Sequence, residues 1–131
     1  MPVFPSDWPA NCPPGQADLC DGDYFHILQE NPPGERDLKS FVEKGRELRF
    51  TPVCPCMPYG LSVFADRDDA AFMQRAMPRL GEFVALLQLT MHDGKVMLTP
   101  GQRPSHNTWW PSGHCVRRNC VAKVERAADV R

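Results

Sequence analysis

Four cysteines and a histidine in two separate loops are the residue types in this chain best suited to hold a metal ion. Cys54 and Cys56 lie in the first loop, and His114, Cys115 and Cys120 lie in the second. Zinc takes four sulfur or nitrogen ligands in a tetrahedron. The first pair is spaced more closely than the usual C-x2-C knuckle and the second more widely. We therefore weigh a structural zinc held by Cys54, Cys56, Cys115 and Cys120 against small thiols without a ligand.

Two further segments place a histidine among aromatic residues. His26 lies inside the apolar run 24–29, where a histidine is either a core residue bonded to a backbone carbonyl or a catalytic group. His106 precedes the adjacent pair Trp109 and Trp110. Because neighbouring residues on a strand face opposite sides, we expect one indole in the core and the other against a ligand, a partner or solvent.

The familiar catalytic signatures are missing from the sequence. It contains no Walker loop, G-x-G-x-x-G, H-E-x-x-H or G-x-S-x-G. No cysteine lies in a recognisable nucleophile motif, and nucleophilic catalysis needs its base nearby in space. Asp66, Asp68 and Asp69 crowd a predicted helix start, where the helix dipole favours acids, so a solvated cap accounts for them.

The charge balance argues against a nucleic acid partner. Fifteen basic and sixteen acidic side chains give a formal charge of −1, which creates no field to attract phosphate. No basic region precedes an apolar stretch at the N-terminus, and no apolar run approaches the ~20 residues of a membrane span. We expect a cytoplasmic protein without a membrane segment, and signal-independent secretion stays open. Reduced thiols are then expected, whereas outside the cytosol Cys12 with Cys20 is a natural local disulfide.

The length of 131 residues fits one domain. Fourteen prolines, five of them in the first 14 residues, predict that residues 1–22 form a Pro-rich arm. Phe4 and Trp8 are expected to pin this arm to the single domain of residues 23–131. Asp37 is placed to cap a short helix that ends at Gly45.

The pattern along the rest of the chain alternates between strand and helix signals. Asp66 is expected to cap a second helix, whose apolar stripe ends before Pro78. Asp93-Gly94 is a favoured tight-turn pair and predicts a hairpin between its flanking apolar runs. The predicted strands are 24–29, 47–53, 60–64, 83–91, 95–99 and 119–126. This order predicts an α+β domain with a mixed or mostly antiparallel sheet, two short helices and the Pro-rich N-terminal arm.

Three spaced segments carry a resemblance to a known fold. They are Tyr24-Phe25-His26-Ile27-Leu28, Gly60-Leu61-Ser62-Val63-Phe64 and Ser105-His106-Asn107-Thr108-Trp109. Together they resemble small bacterial toxin domains of the ADP-ribosyltransferase-like fold, including effectors of the type VI secretion class. In such families the first strand carries an aromatic residue followed by Arg or His, a central strand a small hydroxyl residue, and a late strand a polar catalytic group.

The resemblance implies roles for particular residues. His26 would hold the ribose or amide of NAD, and Ser62 would support the nicotinamide pocket. Tyr24, Trp109 or Trp110 would stack on a ring. The late-strand glutamate of most active transferases has no clear counterpart, and His106 is placed to replace it. The fold can also be kept without transfer activity.

Two hypotheses of function follow. The first is an NAD-binding, ADP-ribosyltransferase-like domain that acts as a bacterial toxin or effector. The alternative is a non-catalytic binding or interaction module, with or without a zinc ion held by the Cys/His loops. The expected partner is a small nucleotide in the first case and another protein in the second.

Overall fold

The computed structural model describes residues 2–45 and 54–129, and its architecture is one antiparallel sheet with an α-helix packed on it. Short turns of 3-10 helix connect several of the strands. The helix α1 spans Arg67–Ala76. The strands are β1 Asp18–Leu19, β2 Gly22–Leu28, β3 Leu61–Phe64, β4 Phe83–Leu89, β5 Gly94–Leu98, β6 His106–Pro111 and β7 Val121–Arg126.

The sheet must curl strongly, and its strand order shows why. The order is β1-β5-β6-β3-β2-β4-β7, so β1 and β2 lie four strand spacings apart. Four spacings in a flat sheet are about 19 Å. The three residue steps from Leu19 to Gly22 reach at most about 11 Å. The sheet must therefore curl. β1 pairs with β5 at one edge, and the same segment of chain continues directly into β2 in the middle of the sheet.

The sheet also divides into two halves between β2 and β3. These strands share a single register pair, Phe25 with Phe64, whereas β2 and β4 are paired along all seven residues. One half consists of β2, β4 and β7, and the other of β3, β6, β5 and β1. His26 lies immediately after the last point at which the halves are joined.

Side chains alternate between the two faces of the sheet, and the buried apolar residues form three clusters. Trp109, Leu61, Val63, Leu87 and Leu28 belong to the central cluster. The amphipathic face of α1 covers a second cluster. The third cluster lies beneath the N-terminal segment and consists of Cys12, Ala17, Cys56 and Trp110, with Phe4 and Trp8 packed against it. A disulfide between Cys12 and Cys56 joins the N-terminal segment to the turn before β3.

The helix expected to begin at Asp66 is confirmed. The Asp66 carboxylate accepts a hydrogen bond of 2.8 Å from the backbone N–H of Asp68, as a capping residue does. Asp68 and Asp69 follow in the first turn, and the helix ends at Ala76, two residues before Pro78. Local signals were sufficient here because the cap, the apolar stripe and the terminating proline agree.

The other predicted helix, from Asp37, is not formed, since the structure has turns at 35–38 and 41–45. The buried Asp37 carboxylate does not cap a helix. It accepts hydrogen bonds from the backbone N–H groups of Gln29, Glu30 and Gly34, at 2.7, 3.1 and 2.7 Å. These bonds fold the loop after β2 back on itself, which takes the carboxylate away from the residues that follow it.

The predicted β-hairpin was also wrong in its pairing. Both of its strands exist, as β4 and β5, but β4 pairs with β2 and β7, and β5 with β1 and β6. The turn between them is a 3-10 helix over Met91–Asp93 held by a capping box from Thr90. It directs the two strands into different halves of the sheet. The predicted strand 47–53 lies outside the described residues.

Gly81, at the turn into β4, gives a test of this packing. Its φ is +144°, and an added Cβ would collide with the backbone carbonyl of Leu28. Gly81→Ala is expected to lower the free energy of unfolding by about 2 kcal/mol in urea denaturation. Gly15→Ala is the control, because no atom lies within 4 Å of its added Cβ. Equal unfolding midpoints for the two variants would contradict the described turn.

Candidate functional site

Ser62 and His106 form a hydrogen-bonded pair across β3 and β6. The register pairs Phe64 with His106 and Ser62 with Thr108, so these side chains share one face of the sheet. The Ser62 hydroxyl lies 3.1 Å from Nε2 of His106. On the other side of the ring, Nδ1 lies 3.1 Å from the Thr99 hydroxyl and 3.2 Å from the Thr99 carbonyl. The buried imidazole is thus fixed in orientation from both sides.

The protonation of His106 follows from these contacts. Burial lowers the pKa of His106, and the hydrogen bond to the Thr99 carbonyl opposes that shift. The neutral ring has one N–H, which Nδ1 can donate to the Thr99 carbonyl. Nε2 is then the acceptor for the Ser62 hydroxyl. A serine beside an oriented imidazole nitrogen has the arrangement of a nucleophile and its base.

His26 bridges the gap where the two halves of the sheet separate. Its Nδ1 lies 2.7 Å from the backbone carbonyl of Ser62, and its Nε2 lies 2.7 Å from the backbone carbonyl of Asp37. Only the doubly protonated ring can donate to both carbonyls. Burial nevertheless lowers the pKa of His26, with the two carbonyls acting in the opposite direction. The ring lies between the Ser62 carbonyl of β3 and the Asp37 carbonyl of the loop, and in its neutral form it donates to one of them.

The three predicted catalytic residues are therefore linked, but they do not face one surface. His26 meets the main chain of Ser62, whereas His106 meets its side chain. Phe25 and Phe64 are paired, so alternation places the Ser62 side chain on the face of Phe25 and the His26 side chain on the other.

Of the three aromatic residues expected to stack on a ligand, two are in the core. Trp109 and Trp110 are both fully buried. Trp109 donates to the backbone carbonyl of Asp93 at 3.0 Å, and Trp110 donates to that of Cys56 at 2.8 Å. The prediction that one indole meets a ligand, a partner or solvent is wrong, because the N-terminal segment packs over Trp110 on that face of β6. Tyr24 is half-buried.

The predicted set of four zinc ligands is not assembled. Cys56 is bonded to Cys12, and Cys54 packs in the same cluster beneath the N-terminal segment. Cys115 and Cys120 lie together elsewhere, with their sulfurs 3.7 Å apart. The partner that the sequence analysis missed is Asp93, whose Oδ1 lies 3.5 Å from the Cys115 sulfur. Asp93 had been assigned to a turn, and a turn residue carries no local mark of a ligand.

The environment of these thiols favours their protonated forms. The hydrogen bond between the Cys115 and Cys120 thiols raises the pKa of Cys120, and burial adds to this shift. Burial also raises the pKa of Cys20 to about 12, with the charges of Asp93 and Cys115 acting in the same direction. Cys20, Cys54, Cys115 and Cys120 are free thiols, and Cys20 is fully buried.

Two open clefts lie away from both of these groups. The first, of about 420 Å³, is lined by residues that include Asn11, Cys54 and Met97. The second, of about 330 Å³, lies between Pro32 and the outer strand β7, with Arg118 and Lys123 in its wall. His26, Ser62 and His106 line neither cleft.

Comparison with known proteins adds no relative to this description. No family model, curated protein or solved structure matches the chain. Within residues 2–45 and 54–129, no helix combines the length and apolar character that crossing a bilayer requires.

The lowered pKa of His106 predicts a pH dependence of stability. Above about pH 7.5 the ring is neutral in both states. As the pH falls below about 6.5, the unfolded chain takes up a proton that the folded protein resists, so stability falls. His106→Gln removes this contribution, and its loss of stability from pH 7.5 to 5.5 is expected to be smaller than that of the wild type by about 1 kcal/mol.

Urea denaturation at the two pH values measures the effect. His114→Gln, at an exposed position outside the network, is the matched control. The prediction fails if His106→Gln and the wild type lose the same free energy of unfolding over this range.

Proposed function

We propose that this domain binds NAD at the division between β2 and β3, as an ADP-ribosyltransferase-like domain of the bacterial toxin or effector class. One observation carries the proposal. The three segments of the resemblance, far apart in the sequence, fold onto strands β2, β3 and β6, and β3 lies next to both of the others. Three short matches that are neighbours in space support a shared site more strongly than the same matches scattered over the surface.

The position of His26 supports the same proposal. Beyond Phe25 and Phe64 the strands β2 and β3 are not paired, and the His26 ring lies there within 2.7 Å of two backbone carbonyls. A ring fixed in advance loses little freedom when a ligand binds. The resemblance assigns His26 to the ribose or amide of NAD, and Tyr24, two residues earlier on the same face of β2, to ring stacking.

Transfer of ADP-ribose requires more than binding. The late strand β6 offers His106 where most active transferases have a glutamate. The Ser62–His106 pair can accept a proton from a hydroxyl through Nε2. The proposal is therefore NAD binding at His26 and Tyr24. The Ser62–His106 pair lies on the opposite face of the sheet, so transfer by His106 in place of the glutamate would require the ligand to reach that face as well.

A non-catalytic binding module is the second candidate function, and a specific observation favours it. Both ring nitrogens of His26 and both of His106 already have partners within the protein. A ligand must displace one of these contacts to reach a ring nitrogen. A module that recognises a protein partner needs no such displacement.

Thermal unfolding with and without NAD separates the two candidates. A ligand at about 100 times its dissociation constant stabilises the folded state by about 2.7 kcal/mol. For a domain of this length we expect a rise in Tm of roughly 8 to 12 degrees. His26→Ala is expected to abolish the rise, measured against its own Tm without NAD. His114→Ala, a histidine on the exposed β6–β7 connection, is expected to keep it.

Calorimetric titration with NAD gives a second measurement that does not depend on unfolding. An unchanged Tm and no heat of binding at millimolar NAD would leave the non-catalytic module as the function. Binding that survives in His26→Ala would move the site away from the β2–β3 division.

A further inference from the structure

We propose that Asp93, Cys115 and Cys120 bind a zinc ion, with Cys20 as the fourth ligand. This site is separate from the β2–β3 division and does not depend on NAD binding. It differs from the four-cysteine set predicted from the sequence, because the disulfide with Cys12 occupies Cys56 and the cluster beneath the N-terminal segment contains Cys54.

The distances between the side chains fit a tetrahedral zinc site. With zinc–sulfur bonds of about 2.3 Å and zinc–oxygen bonds of about 2.0 Å, a tetrahedron separates two sulfurs by about 3.8 Å and a sulfur from an oxygen by about 3.5 Å. The Cys115 and Cys120 sulfurs are 3.7 Å apart, and the Cys115 sulfur is 3.5 Å from Oδ1 of Asp93. All three ligand atoms lie within 4.8 Å of one another.

The Asp93 carboxylate is oriented so that one of its oxygens faces the thiols. Its Oδ2 accepts hydrogen bonds from the backbone N–H and the hydroxyl of Thr90, at 2.7 and 3.1 Å. The backbone carbonyl of Asp93 accepts from Trp109 and from the N–H of Ser112. These contacts hold the residue in place and leave Oδ1 directed at Cys115. Ligands that are oriented by outer contacts are characteristic of metal sites.

Cys20 is a free thiol near this group, close enough for the charges of Asp93 and Cys115 to act on it. Its sulfur lies outside the set of atoms within 4.8 Å of one another, so it must move towards the ion to become the fourth ligand. Cys20 lies in the two-residue junction between β1 and β2, and its N–H donates to the carbonyl of Gly94, the residue after Asp93, at 3.0 Å. Its buried side chain belongs to the same apolar cluster as Cys120, and Cys115 packs against that cluster. A zinc ion here would join the β1–β2 junction, the β4–β5 turn and the β6–β7 connection.

The ligand chemistry selects zinc among common ions. Calcium and magnesium take oxygen ligands, whereas thiolates combined with a carboxylate suit zinc. Binding releases the thiol protons, since the ligand is the thiolate.

The test measures zinc in the full chain, purified under mild reduction and dialysed against metal-free buffer. We expect about one zinc per chain by elemental mass spectrometry. Cys115→Ser and Cys120→Ser are each expected to weaken zinc binding at least about 100-fold in chelator competition, because loss of an outer contact alone costs 10- to 100-fold. Cys54→Ser is the matched control, since it removes a free thiol outside the group, and it is expected to keep the zinc.

Cobalt substitution tests the fourth ligand. Sulfur-to-cobalt charge-transfer absorbance reports bound thiolates, and Cys20→Ser is expected to lower it by about one third, because one of three thiolates is lost. Unchanged absorbance would overturn the role of Cys20.

Alkylation of the folded wild-type protein keeps the proposal testable if the serine variants do not fold. Zinc is expected to protect Cys115 and Cys120 from modification and to leave the reactivity of Cys54 unchanged. The proposal is overturned if the chain takes up neither zinc nor cobalt, if zinc gives no protection, or if mass mapping finds Cys115 and Cys120 joined as a disulfide in the reduced preparation.

Discussion

The continuity of the chain from β1 into β2 is the constraint on which the rest of the architecture depends. Two residues, Cys20 and Asp21, separate the strand at one edge of the sheet from a strand in its middle. The sheet can satisfy both pairings only by curling. The hydrogen bond from Cys20 to Gly94 marks the point where the edge is drawn in. The central core contains Trp109 and Leu61.

Curling on one side leaves a division on the other. β2 pairs along its whole length with β4 and at one residue pair with β3, so the backbone groups near that gap need other partners. His26 supplies some of them, since its ring reaches the carbonyls of Ser62 and Asp37. Asp37 in turn gathers three N–H groups of the loop after β2. The polar residues at the division therefore support the fold as well as the proposed site.

The same curvature places the cysteine group. The β4–β5 turn carries Asp93, the β6–β7 connection carries Cys115 and Cys120, and the β1–β2 junction carries Cys20. These three connections lie apart in the sequence and would be separated in a flat sheet. The two proposed functions lie at two places that this topology creates. Nucleotide binding is proposed at the division between β2 and β3, and metal binding is proposed where the three connections meet.

Local sequence patterns determined most of the elements of this protein. The cap at Asp66 and the apolar stripe before Pro78 are short-range preferences, which operate within a few residues. They predicted α1 and the strands β2, β3, β4, β5 and β7, and they marked Ser62 and His106 as residues of interest. The same local signals predicted a mostly antiparallel sheet with a helix beginning at Asp66.

Only the tertiary structure decided which elements meet. The runs on either side of Asp93-Gly94 have the pattern of a hairpin, yet they pair with other strands, because pairing depends on the curvature of the whole sheet. The disulfide joins cysteines 44 residues apart, and the carboxylate of Asp93 meets Cys115 across 22 residues. Trp110 is buried because the N-terminal segment crosses its face. Such contacts are set by distances in space, which residue types and their spacing along the chain do not contain.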